Sequence, residues 1–153
     1  MHVLREWKKV LEGDLDSIVI ELQDFLHAPS LILLSGDVGV GKTTFAKAFV
    51  KHVLGDSFTF SPTYSVINEL GEIVHADFYR LKDPEEVVHL EIGMYVEDKE
   101  FFLLEWGRAY LNEVLKELPR GWSNYEIIFE VNDTKIANET PSRNIRLIKL
   151  PQD

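Results

Sequence analysis

The 153-residue chain contains no cysteine. Disulfides and thiolate metal sites are thereby excluded, and the composition fits a reducing compartment. No apolar run approaches the length of a membrane span. The stretch Met1-His2-Val3-Leu4-Arg5-Glu6-Trp7-Lys8-Lys9 has no apolar secretory core, so a cytoplasmic protein is expected. No internal repeat, low-complexity tract or linker is found, and a single domain over 1–153 is expected. Basic residues are scarce: 16 Lys and Arg stand against 26 Asp and Glu, a net charge of −10. Most of such a surface repels a polyanion. Direct binding of nucleic acid is therefore disfavoured, and action on RNA would run through a basic partner.

One short segment is dense in glycine. Gly36-Asp37-Val38-Gly39-Val40-Gly41-Lys42-Thr43 fits G-x-x-x-x-G-K-[ST], the phosphate-binding P-loop. It stands between a buried-strand run, Leu31-Ile32-Leu33-Leu34, and a helical pattern, Thr44-Phe45-Ala46-Lys47-Ala48-Phe49-Val50. The glycines let the backbone wrap tightly and turn its N–H groups inward as an anion nest. The helix that follows adds its positive N-terminal end. Lys42 can reach the β- and γ-phosphates, and the Thr43 hydroxyl can ligate Mg²⁺. Residues 36–43 and Thr44 are thus the expected nucleotide-contacting set.

The periodicities give an α/β order. Residues 3–10 read as a strand, 14–26 as an amphipathic helix and 31–35 as the strand before the loop. The helix 42–54 is stopped by Gly55. Runs 63–70 and 72–80 around Gly71 form a hairpin signal. Asp83-Pro84-Glu85-Glu86 opens a helix with Asp83 as N-cap, Pro84 at the first position and Glu86 closing a capping box, and Gly93 is expected to end it. Phe101-Phe102-Leu103-Leu104 is a second apolar strand. Residues 107–118 read as a helix, and 125–131 and 144–150 as late strands of one sheet. The expected fold is a P-loop domain of three α/β/α layers. Its sheet is mixed but mainly parallel, with a β-hairpin inserted after the P-loop helix.

A P-loop needs a carboxylate from a neighbouring strand to complete the Mg²⁺ site. Glu105 closes the second apolar run at a carboxyl end, where α/β sites gather. Thr43 and Glu105 are therefore the expected metal residues. Asp77 is a second acid. Period-2 alternation puts His75, Asp77 and Tyr79 on one strand face, which either lines a water-filled site or is the solvent side of the hairpin. Thr63, in Ser61-Pro62-Thr63-Tyr64, is either a switch threonine that senses the γ-phosphate or part of an ordinary turn. Trp106 either stacks on a base, meets a partner or packs in the core. His75 is given no catalytic role, and Glu97-Asp98-Glu100 reads as a solvated face.

Together these segments resemble one family. The ordered set is Gly-Asp-x-Gly-x-Gly-Lys-Thr-Thr at 36–44, Ser-Pro-Thr-Tyr at 61–64, His-x-Asp-Phe-Tyr-Arg-Leu at 75–81, Asp-Pro-Glu-Glu at 83–86 and Leu-Leu-Glu-Trp at 103–106. It resembles the TsaE family, formerly YjeE, small bacterial ATPases of the tRNA threonylcarbamoyladenosine pathway, over roughly residues 10–150. The resemblance implies ATP and Mg²⁺ as cofactors. It implies catalytic roles for Lys42, Thr63, Asp77 and Glu105, metal ligation by Thr43 and Glu105, and an aromatic neighbour of the nucleotide in Trp106. It also implies a TsaB–TsaD complex as partner, which ATP hydrolysis resets between cycles and which holds the tRNA. Arg143-Asn144-Ile145 looks similar to a late family segment of unassigned role. Gly107 departs from the family, where Pro is frequent.

Two other readings share the P-loop. A small-molecule kinase would need an Arg-rich lid, but Arg80, Arg108, Arg120, Arg143 and Arg146 are scattered. A nucleotide-gated interaction module would share the site and lack significant turnover. No Asn-Lys-x-Asp guanine motif is present, so the choice of ATP rests on the resemblance.

Overall fold

The computed structural model describes residues 2–37, 41–56, 65–132 and 140–151. Its elements are β1 (His2–Val10), α1 (Leu15–Leu22), β2 (Ser30–Ser35), α2 (Lys42–Leu54), β3 (Ile67–Leu70), β4 (Ile73–Asp77), α3 (Pro84–His89), α4 (Ile92–Val96), β5 (Phe101–Glu105), α5 (Leu111–Glu117), β6 (Ser123–Val131) and β7 (Arg143–Lys149). The strands form one sheet in the order β1-β7-β6-β2-β5-β4-β3. Its centre, β6-β2-β5-β4, is parallel, and β3, β7 and β1 are added at the margins by antiparallel pairing.

Hydrophobic alternation explains the layering. Ile32 and Leu34 of β2 point to one face, where α1 and α2 cover them with Val19, Leu22, Phe45 and Phe49. Leu31 and Leu33 point to the other, where α3, α4 and α5 contribute Val87, Ile92, Val96 and Val114. A strand buried on both faces must be apolar throughout, which is why the Leu31–Leu34 run is continuous rather than alternating. The three-layer architecture and the hairpin β3–β4 are those expected from the sequence.

Several boundaries differ from the expectation, each for a physical reason. α1 ends at Leu22, and the next residues turn instead, with Phe25 N–H on Leu22 O. β4 stops at Asp77 rather than running to residue 80, because Asp77 Oδ1 accepts the Tyr79 N–H at 2.9 Å and bends the chain. The capping box at Asp83 forms as expected, with Glu86 N–H on Asp83 Oδ1 at 3.1 Å and Asp83 N–H on Glu86 Oε2 at 3.1 Å. The helix it opens ends at His89, however, and Gly93 does not terminate it. Gly93 lies inside α4, where a Cβ would come within 3.3 Å of the Glu117 carbonyl. Its job is close approach to the end of α5. The helix expected from residue 107 begins as a 3₁₀ turn, Arg108–Tyr110, before α5.

Candidate functional site

The site lies at the carboxyl ends of the parallel strands. β2 delivers Gly36 and the loop, and α2 begins at Lys42 immediately beyond it. Gly41 caps this helix in the left-handed region, φ +100°, which a side chain would strain. A Cβ there would also overlap the Arg143 guanidinium, so Arg143, at the start of β7, packs directly against Gly41.

β5 delivers Glu105, buried at 3% exposure. Thr43 Oγ1 donates to Glu105 Oε1 at 3.2 Å, and Glu105 Oε2 is 2.7 Å from His75 Nε2. Asp77 stands opposite Glu105 in the β4–β5 register, and the Phe78 N–H on Glu105 O at 3.0 Å holds the two strand ends together. The sequence leaves two readings open for the His75–Asp77 face, and the structure brings this face to the cleft. His75 is buried against Glu105, and Asp77 lines the cleft, so this is not simply a solvent face.

Lys42 Nζ donates to Gly36 O at 2.7 Å and lies 3.5 Å from the centroid of the Trp106 ring. Burial lowers the proton affinity of this ammonium below the ordinary lysine range, against the pull of Glu105, Asp77 and Asp37. Trp106 takes left-handed backbone geometry, φ +59°, and its ring meets Tyr79 at a centroid distance of 5.1 Å. Trp106 is half-buried against the core, and its ring also roofs the lysine. The cleft so formed has a volume of about 420 Å³ and is lined by Gly41, Lys42, Thr43, Thr44, Asp77, Tyr79, Glu105 and Trp106.

Six of the expected site residues thus converge with Gly41: Lys42, Thr43, Thr44, Asp77, Glu105 and Trp106. Gly36 joins them through its carbonyl, and Asp37 through its charge on Lys42. Val38, Gly39, Val40 and Thr63 lie outside the described residues. Three contributors were missed. His75 was placed on the right face but given no role, and its signal was the alternation with Asp77. Arg143 had no role assigned. Tyr79 was noted only as part of the alternating triplet.

The donor set suits a hard cation. Thr43 Oγ1 and Glu105 Oε1 are oxygens, with the Asp77 carboxylate beside them, the type that Mg²⁺ prefers. Among the described residues no three His, Cys, Asp or Glu side chains form a metal cage by themselves. A cation here would draw further oxygens from a bound phosphate.

Gly107 supports the roof from below. A Cβ at this position would overlap Leu104 Cγ and Cδ2 in the core. Gly107→Ala is expected to cost about 1–3 kcal/mol by overpacking, read as a lower denaturant midpoint with an unchanged slope.

Among the described residues no helix is long and apolar enough to cross a membrane. The family model described as "Threonylcarbamoyl adenosine biosynthesis protein TsaE" matches residues 11–142. A relative from Nostoc sp. strain PCC 7120, named tRNA threonylcarbamoyladenosine biosynthesis protein TsaE, is 34% identical over 137 residues, 78% of this chain and 84% of that one. A protein of the same name from Rickettsia bellii is 34% identical over 98 residues, and the alignment spans 61% of this chain and 64% of its length. The crystal structure of Bacillus subtilis YdiB superposes with a TM-score of 0.61 over 96% of this chain and 86% of that one, at 22% identity, a likeness of fold. The ordered motifs, the fold and the match over most of its length place the chain in the TsaE family, whose role is in tRNA threonylcarbamoyladenosine biosynthesis.

Proposed function

We propose that this protein binds ATP with Mg²⁺ and hydrolyses it as an accessory factor acting on a TsaB–TsaD complex. The observation that carries the reading is the convergence of Lys42 and Thr43, at the start of α2, with Glu105 at the end of β5, Thr43 touching Glu105 at 3.2 Å. Backbone N–H groups of the loop and Lys42 hold the phosphates and stabilise charge developing on them. Thr43 and Glu105 would hold Mg²⁺, which would supply charge neutralisation to the bound phosphates. His75 orients Glu105 through its 2.7 Å contact. Asp77, or Thr63 outside the described residues, places the attacking water. The net charge of −10 suits a protein that leaves the RNA to its partners.

One observation favours a second reading, a nucleotide-gated binding module. Lys42 is held by Gly36 O and roofed by Trp106, so a phosphate must take it from both. Nucleotide entry would then move Trp106 whether or not hydrolysis follows.

The test is phosphate release from ATP by the protein alone and with TsaB–TsaD from the same organism. Strong stimulation by the complex supports the hydrolytic reading. Tight ATP binding with no release under either condition favours the gated module.

The state of Lys42 predicts a pH dependence of opposite sign in two measurements. Its ammonium is disfavoured in the folded protein, so raising the pH through the depressed value relieves a cost and stability without nucleotide rises. Over the same window ATP affinity falls, because the neutral amine no longer attracts phosphate. Thermal unfolding and ATP titration across the alkaline range check both directions.

A further inference from the structure

Behind the cleft, on the sheet face covered by α3–α5, β6 carries a second buried acid. Glu126 is 3% exposed. Its Oε2 accepts the Ser35 hydroxyl at 2.7 Å, and its Oε1 meets Arg108 Nη1. A buried carboxylate is costly unless each oxygen is satisfied, and here each oxygen reaches a different chain segment. Ser35 immediately precedes Gly36, whose carbonyl holds Lys42. Arg108 stands two residues after Trp106, the ring above Lys42. The two segments that grip Lys42 from either side are therefore tied to one acid that does not touch the cleft.

The left-handed geometry of Trp106 needs such an anchor. A non-glycine residue at φ +59° is unfavourable and persists only where its surroundings hold it. Gly107 packs on Leu104 immediately beyond it, and Arg108 then fastens the turn to β6.

We propose that Glu126 is a positioning residue of the nucleotide site, with Ser35 and Arg108 as its two arms, the Arg108 arm setting Trp106 over Lys42 and the Ser35 arm setting the start of the phosphate loop. The inference rests on the ATP-binding reading for its effect on affinity, and on the geometry alone for its effect on Trp106.

Three quantities are measured on the full-length chain and on Arg108→Ala, Arg108→Lys and Ser35→Ala: the Kd for Mg·ATP, the melting temperature, and the Trp106 emission, taken as the difference between each protein and its own Trp106→Phe version. The Arg108 side chain is 56% exposed, so its truncation opens no core cavity, and the stability lost by leaving one Glu126 oxygen without its cation is read separately in the melting temperature. Arg108→Ala is expected to weaken Mg·ATP binding about 10-fold, the lower end for groups that orient a site from behind. It should also red-shift the Trp106 emission and expose it to acrylamide. Arg108→Lys should recover part of both. Ser35→Ala should weaken binding by less and leave the Trp106 emission in place. A lower melting temperature with unchanged Kd and unchanged Trp106 emission in Arg108→Ala would make the ion pair merely structural and overturn the proposal. If the unaltered protein binds no ATP, the functional reading fails, and the Trp106 emission still decides the positioning claim.

Discussion

Lys42→Ala is expected to abolish ATP hydrolysis. The lysine is the described cation on the cleft floor, next to Thr43 and within the field of Glu105, Asp77 and Asp37. Removing it takes away the ammonium that offsets those carboxylates where the phosphates bind. Loss of one preorganised donor from a site of this kind lowers turnover by about 100- to 1,000-fold, and here a full charge is lost as well. The same variant should not unfold. Burial already works against the ammonium in the folded protein, so its removal relieves a cost while giving up the Gly36 hydrogen bond and the contact with Trp106. Phosphate release at background level with a melting temperature within a few degrees of the parent is the expected pair of results, read by a coupled phosphate assay and calorimetry.

The second large effect lies one turn further along α2. Phe45 is fully buried. Its ring meets Phe129 of β6 edge-on at 5.5 Å and Phe49 at 6.4 Å. It therefore joins the P-loop helix to the sheet. Phe45→Ala is expected to cost about 3–5 kcal/mol, the loss of transfer free energy plus the cavity left behind. Against a typical total of about 5–15 kcal/mol, that is a large share. For a chain of this size it corresponds to a fall in melting temperature of roughly 6–20 °C. Denaturant unfolding checks it, with the midpoint falling at constant slope. The phosphate loop depends on the position of α2, so nucleotide affinity should fall with it.

Most of the architecture was legible because it is written in periodicity and punctuation. Leu31–Leu34 and Phe101–Leu104 are continuous apolar runs, and both are central parallel strands. Gly55 closes α2 at φ +92°, as a glycine there should. The Asp83–Glu86 capping box is a local interaction and was readable as such. Misplaced boundaries came from a local hydrogen bond, as at Asp77, or from a tertiary contact, as at Gly93. Gly93 is a close-approach glycine against Glu117, and the short sequence around it looks no different from a helix stop.

The site was legible where chemistry depends on consecutive residues or on the end of a strand. Lys42, Thr43 and Glu105 fall in that class, and the structure brings the three to one cleft. His75 and Arg143 do not. The contact of His75 with Glu105 depends on the parallel register of β4 against β5. Arg143 reaches Gly41 because β7 pairs beside β6. Glu126 was invisible for the same reason, since its two partners come from segments 91 and 18 residues away. Pairings of that kind are properties of the sheet order, which no short motif encodes.

The central claim is that Lys42, Thr43 and Glu105 form a Mg·ATP site. Its most direct test is calorimetric titration of the full chain with ATP, with and without Mg²⁺, beside Lys42→Ala and Glu105→Gln. The account predicts saturable binding by the parent that tightens with Mg²⁺, loss of binding in Lys42→Ala, and loss of the Mg²⁺ effect in Glu105→Gln. Equal binding by the parent and Lys42→Ala, or no binding by a folded parent, would contradict it.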